Sequence, residues 1–330
     1  MDNFTHSLVG WALGQTGLKR RSRKGLAALV LGANMPDIDV FFGWVPWAPL
    51  STHRGVTHAL TGGVLWLPPV LAGLLWLLDR WQMRRGAVFR SGLEMHFGWL
   101  VVLAYLGTLT HPLLDWQNTY AVQLLSPFSN RWFHNDSLFI IDVWVWSGLA
   151  FAIWLSRRRE KQDSAHGGHW KRPPRVALAL LVAYIAGNGA LSASVKSEVR
   201  RSVASAEPDA IFASPAPVLA WRRDVVWREN DAIGFGQYDP LRRAPNFVQL
   251  AGLVPDGMGD PLVPPAMTAN DQVIDFLRWS VMTTASVERE NCRAIVTFSD
   301  ARYAGRVGGG FRHAVELPLT RSGCPPQAAG

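Results

Sequence analysis

At 330 residues, 48% of them hydrophobic, only 18% charged and 16 of them tryptophan, the chain departs from a soluble average and reads first as a membrane protein. Its net charge of +8 does not argue for nucleic-acid binding, because the basic residues fall in short clusters between apolar stretches and no recognition motif accompanies them. The two cysteines, Cys292 and Cys324, exclude a cysteine-based zinc finger and leave a disulfide or two free thiols open.

The N-terminus, MDNFTHSLVG, lacks a basic n-region, so no cleavable signal peptide is expected and insertion rests on internal helices. Two weak apolar stretches come first, at 4–18 and 25–44, the second interrupted by Pro36 and two aspartates that end or bend a helix. Four stronger ones follow at 59–78, 97–114, 138–155 and 176–191, each near the ~20 residues that cross a bilayer. Basic clusters at 19–24, 80–90 and 157–175 occupy every second loop. By the positive-inside rule those loops are cytoplasmic, and the N-terminus, the 45–58 and 116–137 loops and the C-terminal region lie outside. The expected architecture is an all-α multi-pass domain of six segments over 1–191, in a bacterial cytoplasmic membrane, followed by a small soluble extracytoplasmic α+β domain over 192–330. In that second domain 292–298 and 311–317 alternate as strands do, and 270–279 reads as a short helix.

Polar residues with ligand chemistry interrupt the apolar series at His6, at Asp37 and Asp39, at His53 and His58, at His111 and Asp115, and at Asp142. At ~1.5 Å per helical residue, His6 lies ~20 Å from Lys19, Asp37 ~20 Å from Lys24, His111 ~21 Å beyond Phe97 and Asp142 ~22 Å beyond Arg157. Separate segments thus bring these side chains to one depth toward the outside. Ionisable groups are costly there and face a cavity or a partner, and a shared divalent metal satisfies all of them together. Mixed imidazole and carboxylate ligands suit zinc, one ion or two, with manganese as an alternative. His111 and Asp115 are four apart and share a helix face, with Pro112 between them. Plainer readings compete: a His/Asp hydrogen bond for that pair, a cap or Asx turn for Asp37 and Asp39, and an N-terminal helix charge for Asp142.

The ordered series MDNFTHSLVG, PDID, HRGVTH, HPLLDW and PFSNRWF…LFIIDVW resembles the YdjM-type family of membrane-bound metal-dependent hydrolases over roughly the first 190 residues. More distantly, His111 and Asp115 resemble the His-x-x-x-Asp unit of zinc-dependent phospholipase C and the related single-strand nucleases, from which the chain departs by spanning the membrane and by lacking an N-terminal tryptophan. The resemblance implies a metal-dependent hydrolase acting on a phosphoester, with Arg54 and Arg131 as candidates for gripping its anionic group. The expected partners are membrane lipids and a small or lipid-linked substrate. The alternative is a non-catalytic metal-binding protein with a regulatory, transport or partner-binding role. Transport would carry polar residues through to the inner face, whereas these cluster on one side.

Overall fold

The computed structural model describes residues 1–42, 53–162, 168–290, 292–304 and 311–319. The chain folds as two compact units, one built on residues up to 42, 53–192 and 214–220, the other on 193–213 and from 221 onward.

The first unit is helical. Helix α1 (Asn3–Gln15) is capped by Asp2, whose carboxylate accepts from the Thr5 backbone N–H at 3.0 Å and the Thr5 hydroxyl at 2.6 Å. An anion there also meets the positive end of the helix dipole. Helix α2 (Gly25–Gly32) is wholly apolar and is followed by a 3₁₀ turn over Met35–Phe42 that begins next to Pro36. With 13 and 8 residues, α1 and α2 reach about 20 and 12 Å, short of the ~30 Å hydrocarbon core. Among the described residues the stretches at 4–18 and 25–44 therefore form no spanning helix. Gly17, at φ 114°, closes the first, and the proline and aspartates break the second.

Among the described residues three helices are long and apolar enough to cross a membrane: α3 (Gly63–Arg84), α4 (Phe97–Asp115) and the continuous run His169–Val203, which contains α6 (Arg172–Glu198). Helix α5 (Val143–Gln162) has the length but not the composition, since Arg157, Arg158, Arg159 and Glu160 fall within it. The expected six segments thus reduce to three apolar helices. Their outward faces carry exposed Leu74, Leu77, Val102, Leu106, Leu180 and Val182, an apolar surface suited to lipid rather than water.

Helix α2 is the pivot of this unit. Ala28 and Leu29 pack against Leu71, Ala72 and Leu75 of α3 and Leu100, Leu103 and Ala104 of α4, all buried. Helix α1 joins through Leu8, Val9 and Ala12, which meet Leu149 and Ile153 of α5. Where α4 crosses α2, Gly107 brings the two backbones so close that an added Cβ would stand 2.4 Å from the Leu29 carbonyl oxygen.

The second unit holds a five-stranded sheet and a three-stranded sheet. The first has the order β1 (Ala210–Pro215), β2 (Arg223–Glu229), β3 (Ala232–Tyr238), β4 (Phe247–Gln249), with β5 (Val254–Pro255) also on β3. The second is the antiparallel series β6 (Thr283–Glu290), β7 (Arg293–Asp300), β8 (Arg312–Pro318). Short helices α7 (Val263–Met267) and α8 (Asp271–Trp279) precede it, the latter capped by Asn270. The stretches expected as two strands and a short helix form β7, β8 and α8. Cys292 is disulfide-bonded, and Cys324 lies outside the described residues.

This unit buries an ion pair between Arg302 and Asp300. Arg302 meets both oxygens of Asp300 at 2.8 Å and stacks on Trp279 at 4.7 Å. Burial pushes the Asp300 carboxyl up, but the Arg302 guanidinium more than offsets this and holds it below the usual carboxylate range. A depressed carboxyl contributes stability that is complete above its unfolded pKa of about 3.9 and is lost as pH falls through the lower folded value. Asp300→Asn takes the carboxylate charge from beside the buried guanidinium and is expected to cost about 3–5 kcal/mol and to flatten the acid limb of stability. Hydrogen exchange of the β6 and β7 amides, compared at neutral and acid pH, measures both effects, and unchanged protection in the variant would refute them.

Candidate metal centre

Three backbone contacts fix the face of α4 that carries the centre. Gly107 lies on the Leu29 carbonyl, the Thr108 hydroxyl donates to Gly32 O at 3.0 Å, and His111 Nδ1 bonds Ala33 O at 2.6 Å. The last contact sets the tautomer. A carbonyl can only accept, so Nδ1 carries the proton and the Nε2 lone pair points into the unit, the usual arrangement for a metal-binding imidazole. Helix α4 runs unbroken past Pro112 to Asp115, one turn further on the same face.

Around His111 Nε2 gather three other ligand-type atoms. Asp37 Oδ1 lies 3.2 Å from it, Asp115 Oδ2 3.3 Å and His58 Nε2 3.1 Å. His58 Nε2 is in turn 3.1 Å from Asp37 Oδ1 and 3.4 Å from Asp115 Oδ2. Those five separations are edges of one compact polyhedron. A tetrahedral ion with ligands at ~2.0–2.1 Å separates them by about 3.3 Å. The quartet of Asp37, His58, His111 and Asp115 is buried and could hold a metal ion. The chemistry of the set agrees with its geometry, since lone pairs and carboxylates converge here and Asp115 Oδ2 has no hydrogen-bond partner despite its burial.

The turn after Pro36 supplies Asp37 to this quartet and turns Asp39 toward a second, more open group. Asp37, Asp39 and His53 also place ligand atoms within 4.8 Å of one another, with Asp39 and His53 partly exposed. His53 Nδ1 is 3.0 Å from Asp39 Oδ1. Asp39 Oδ2 accepts from the Arg54 backbone N–H at 3.2 Å and from the Thr57 hydroxyl at 2.7 Å, which ties the 53–58 turn to the 3₁₀ turn. His6 stacks on His111, ring centroids 3.7 Å apart, with Nε2 3.5 Å from Asp115 Oδ1. Both of its ring nitrogens are buried without a hydrogen-bond partner. It stands beside the quartet rather than within it.

Arg54 closes the other side. Its side chain is 3% exposed, with Nη2 3.2 Å from Asp115 Oδ1, Nη1 donating to Asn118 Oδ1 at 2.9 Å, and the guanidinium 4.6 Å over the Tyr120 ring. Its backbone is held in the left-handed region at φ 63°, which costs a non-glycine residue about 1–2 kcal/mol. The Met1 amino group also reaches Asp115 Oδ1.

Two expected residues have other partners among the described residues. Asp142 caps α5, accepting from the Trp144 and Val145 N–H groups at 3.0 and 3.1 Å and from the Tyr184 hydroxyl at 3.0 Å, so its carboxylate is spent on the dipole end of its own helix. Arg131 is exposed and lies 5.2 Å over the Phe133 ring. Sequence reasoning missed Asn118. Its Oδ1 accepts from Arg54 and from the Tyr120 N–H at 3.0 Å, which orients the amide and leaves its buried Nδ2 without a hydrogen-bond partner. A signal for it existed in the polar run QNT directly after Asp115.

No solved structure matches the chain. The uncharacterized protein YfhP of Bacillus subtilis (strain 168) is 25% identical over 167 residues, which are 47% of this chain and 47% of that protein. The match therefore spans about half the length of that relative. Residues 1–195 match the family model of the YdjM inner membrane protein, and with more than half its length matched the chain belongs to that family.

Proposed function

We propose that the protein is a multi-pass membrane metal-dependent hydrolase acting on a phosphoester, lipid-linked substrates included, at the outer side of the cytoplasmic membrane. The observation that carries this reading is the buried quartet, with edges of 3.1–3.4 Å and Arg54 against one of its carboxylates. Two imidazoles and two carboxylates suit zinc, with manganese as the other ion of matching chemistry. The three-residue group around Asp39 fits a second ion that shares Asp37 and, being partly exposed, leaves room for substrate. A divalent ion at such a site supplies Lewis acidity, polarising an ester and making a water more acidic.

The chain's own residues do the rest. Arg54 has its Nε buried without a hydrogen-bond partner, a donor suited to a phosphoryl oxygen. Asn118 fixes the guanidinium through Nη1 and offers Nδ2 beside it. The basic clusters on alternate loops support an outward-facing site, and bonded Cys292 supports an oxidising compartment for the C-terminal unit. Chelation of the purified protein is expected to abolish hydrolysis of phosphodiester and phospholipid substrates, and stoichiometric zinc or manganese to restore it. Full metal occupancy with no turnover across such a panel would defeat the hydrolase reading.

A second reading has one observation in its favour. Four protein ligands fill a tetrahedron, as in structural rather than catalytic zinc sites. On that reading the metal holds α4 and the two turns together, and the protein serves a regulatory, transport or partner-binding role. Loss of the fold on chelation, with no turnover in the loaded state, is its signature.

A further inference from the structure

About 21 Å back along α4 from His111, a recess of about 580 Å³ opens beside the helix start. Its lining carries Lys19, Arg20, Arg23 and Lys24, with Glu160 as the acidic side chain and Leu26 among the apolar ones. A smaller cavity of about 250 Å³ shares Lys19, Leu26 and Glu160 and adds Arg157 and Lys161.

Among the described residues the charges of this recess do not balance. Lys19 Nζ and Arg20 Nη2 share Glu160, at 2.5 and 3.1 Å. Arg23 makes a bidentate pair with Asp79 at 2.8 and 2.7 Å, and Lys24 Nζ lies 4.0 Å from the same carboxylate. Among the described residues four cations thus share two carboxylates, and two positive charges remain before Arg157 and Lys161 are counted.

The place of the recess identifies what compensates them. Ends of all three apolar helices meet here: Asp79 lies near the end of α3, α4 starts at Phe97, and Trp170 stands at the start of the run His169–Val203. Lys19 and Arg20 lie 5.1 and 4.7 Å over the Trp170 ring, and Arg21 lies 4.9 Å over Trp99. Tryptophans under cations at the ends of apolar helices mark the headgroup level of a bilayer. We infer that this recess is a headgroup site for an anionic phospholipid, its phosphate held by Lys19, Arg20 and Lys24 and its acyl chains on the exposed apolar faces of the neighbouring helices. The site is independent of the metal centre and of any hydrolase activity.

The test uses the full chain, purified in detergent, delipidated and titrated with dioleoyl phosphatidylglycerol or dioleoyl phosphatidylcholine, with bound lipid read by native mass spectrometry. The anionic lipid is expected to bind roughly tenfold or more tightly, and that preference to fall as salt rises. The double variant R20Q/K24Q is expected to bring the preference close to parity while phosphatidylcholine binding stays unchanged. Equal affinity for the two lipids in wild type, or an undiminished preference in the variant, overturns the site. Should the variant fail to fold, the wild-type salt series decides alone, and a salt-insensitive preference refutes a charge-built site. Glycerophosphoglycerol, the same headgroup without acyl chains, is the last arm. Binding of it as tight as the lipid's would make the recess a soluble phosphoester site and overturn the lipid assignment.

Discussion

Asp115→Ala is expected to lower the metal content of the purified protein about tenfold or more, measured by inductively coupled plasma mass spectrometry beside wild type prepared in parallel. Asp115 is where the centre converges. One carboxylate oxygen lies 3.4 and 3.3 Å from His58 and His111 Nε2, and the other faces His6, Arg54 and the Met1 amino group. Its removal deletes one ligand and also frees Arg54, a cation 3% exposed, to lie unpaired inside the unit. Breaking a buried pair in this way costs about 3–5 kcal/mol, so the alanine variant is expected to melt early as well as bind poorly. Asp115→Asn separates the two effects. It keeps the volume and an accepting oxygen for Arg54 but offers a neutral, weaker ligand to the ion. The asparagine variant, which still denies Arg54 its counter-charge, is therefore expected to melt below wild type but above the alanine variant, and to lose as much metal as alanine does. If wild type carries no more metal than either variant, the metal-centre reading falls, and the hydrolase reading with it.

The polar residues were legible in the sequence because an apolar chain makes each of them conspicuous. His111 and Asp115 followed from helical spacing, and Asp37 from the cost of leaving a carboxylate unpaired at depth. Asp142 shows the limit of that reasoning. Depth alone cannot tell a ligand from a cap, and the backbone N–H groups of Trp144 and Val145, which Asp142 caps, leave no trace in residue type. For Arg131 the described contacts are local: in the 116–137 loop Val122 pairs with Phe133, and Arg131 lies over the Phe133 ring. Nor does hydropathy give helix length. The stretches 4–18 and 25–44 are apolar enough to suggest spans, but Gly17 and Pro36 stop them at 13 and 8 helical residues, and the short elements they leave deliver His6 and Asp37 to the centre.

The tightness of the α2–α4 crossing gives the second large expected effect. On an open helix surface glycine to alanine gains about 1 kcal/mol. At Gly107 the new Cβ would stand 2.4 Å from Leu29 O, 3.0 Å from Ala33 N and 3.1 Å from Leu29 C. All three are backbone atoms, so no rotamer change relieves the clash, and ordinary contact requires α4 to withdraw by roughly 1 Å. That movement stretches the 2.6 Å bond from His111 Nδ1 to Ala33 O and the 3.0 Å bond from Thr108 to Gly32 O together. The first of these orients the imidazole, and a ligand set tolerates only about 0.5 Å of such displacement. Gly107→Ala is therefore expected to destabilise the protein by about 2–3 kcal/mol and to weaken metal binding about tenfold, although Gly107 offers no ligand atom. Gly98→Ala, on the same helix with nothing within 4 Å of its Cβ, is the matched control and is expected to bind metal and melt like wild type or slightly better. Thermal melting and metal titration of the two variants in detergent read both quantities. Identical behaviour of the two would mean that the crossing yields without moving His111, and that the ligand's position is set by the metal rather than by the packing of α4 on α2.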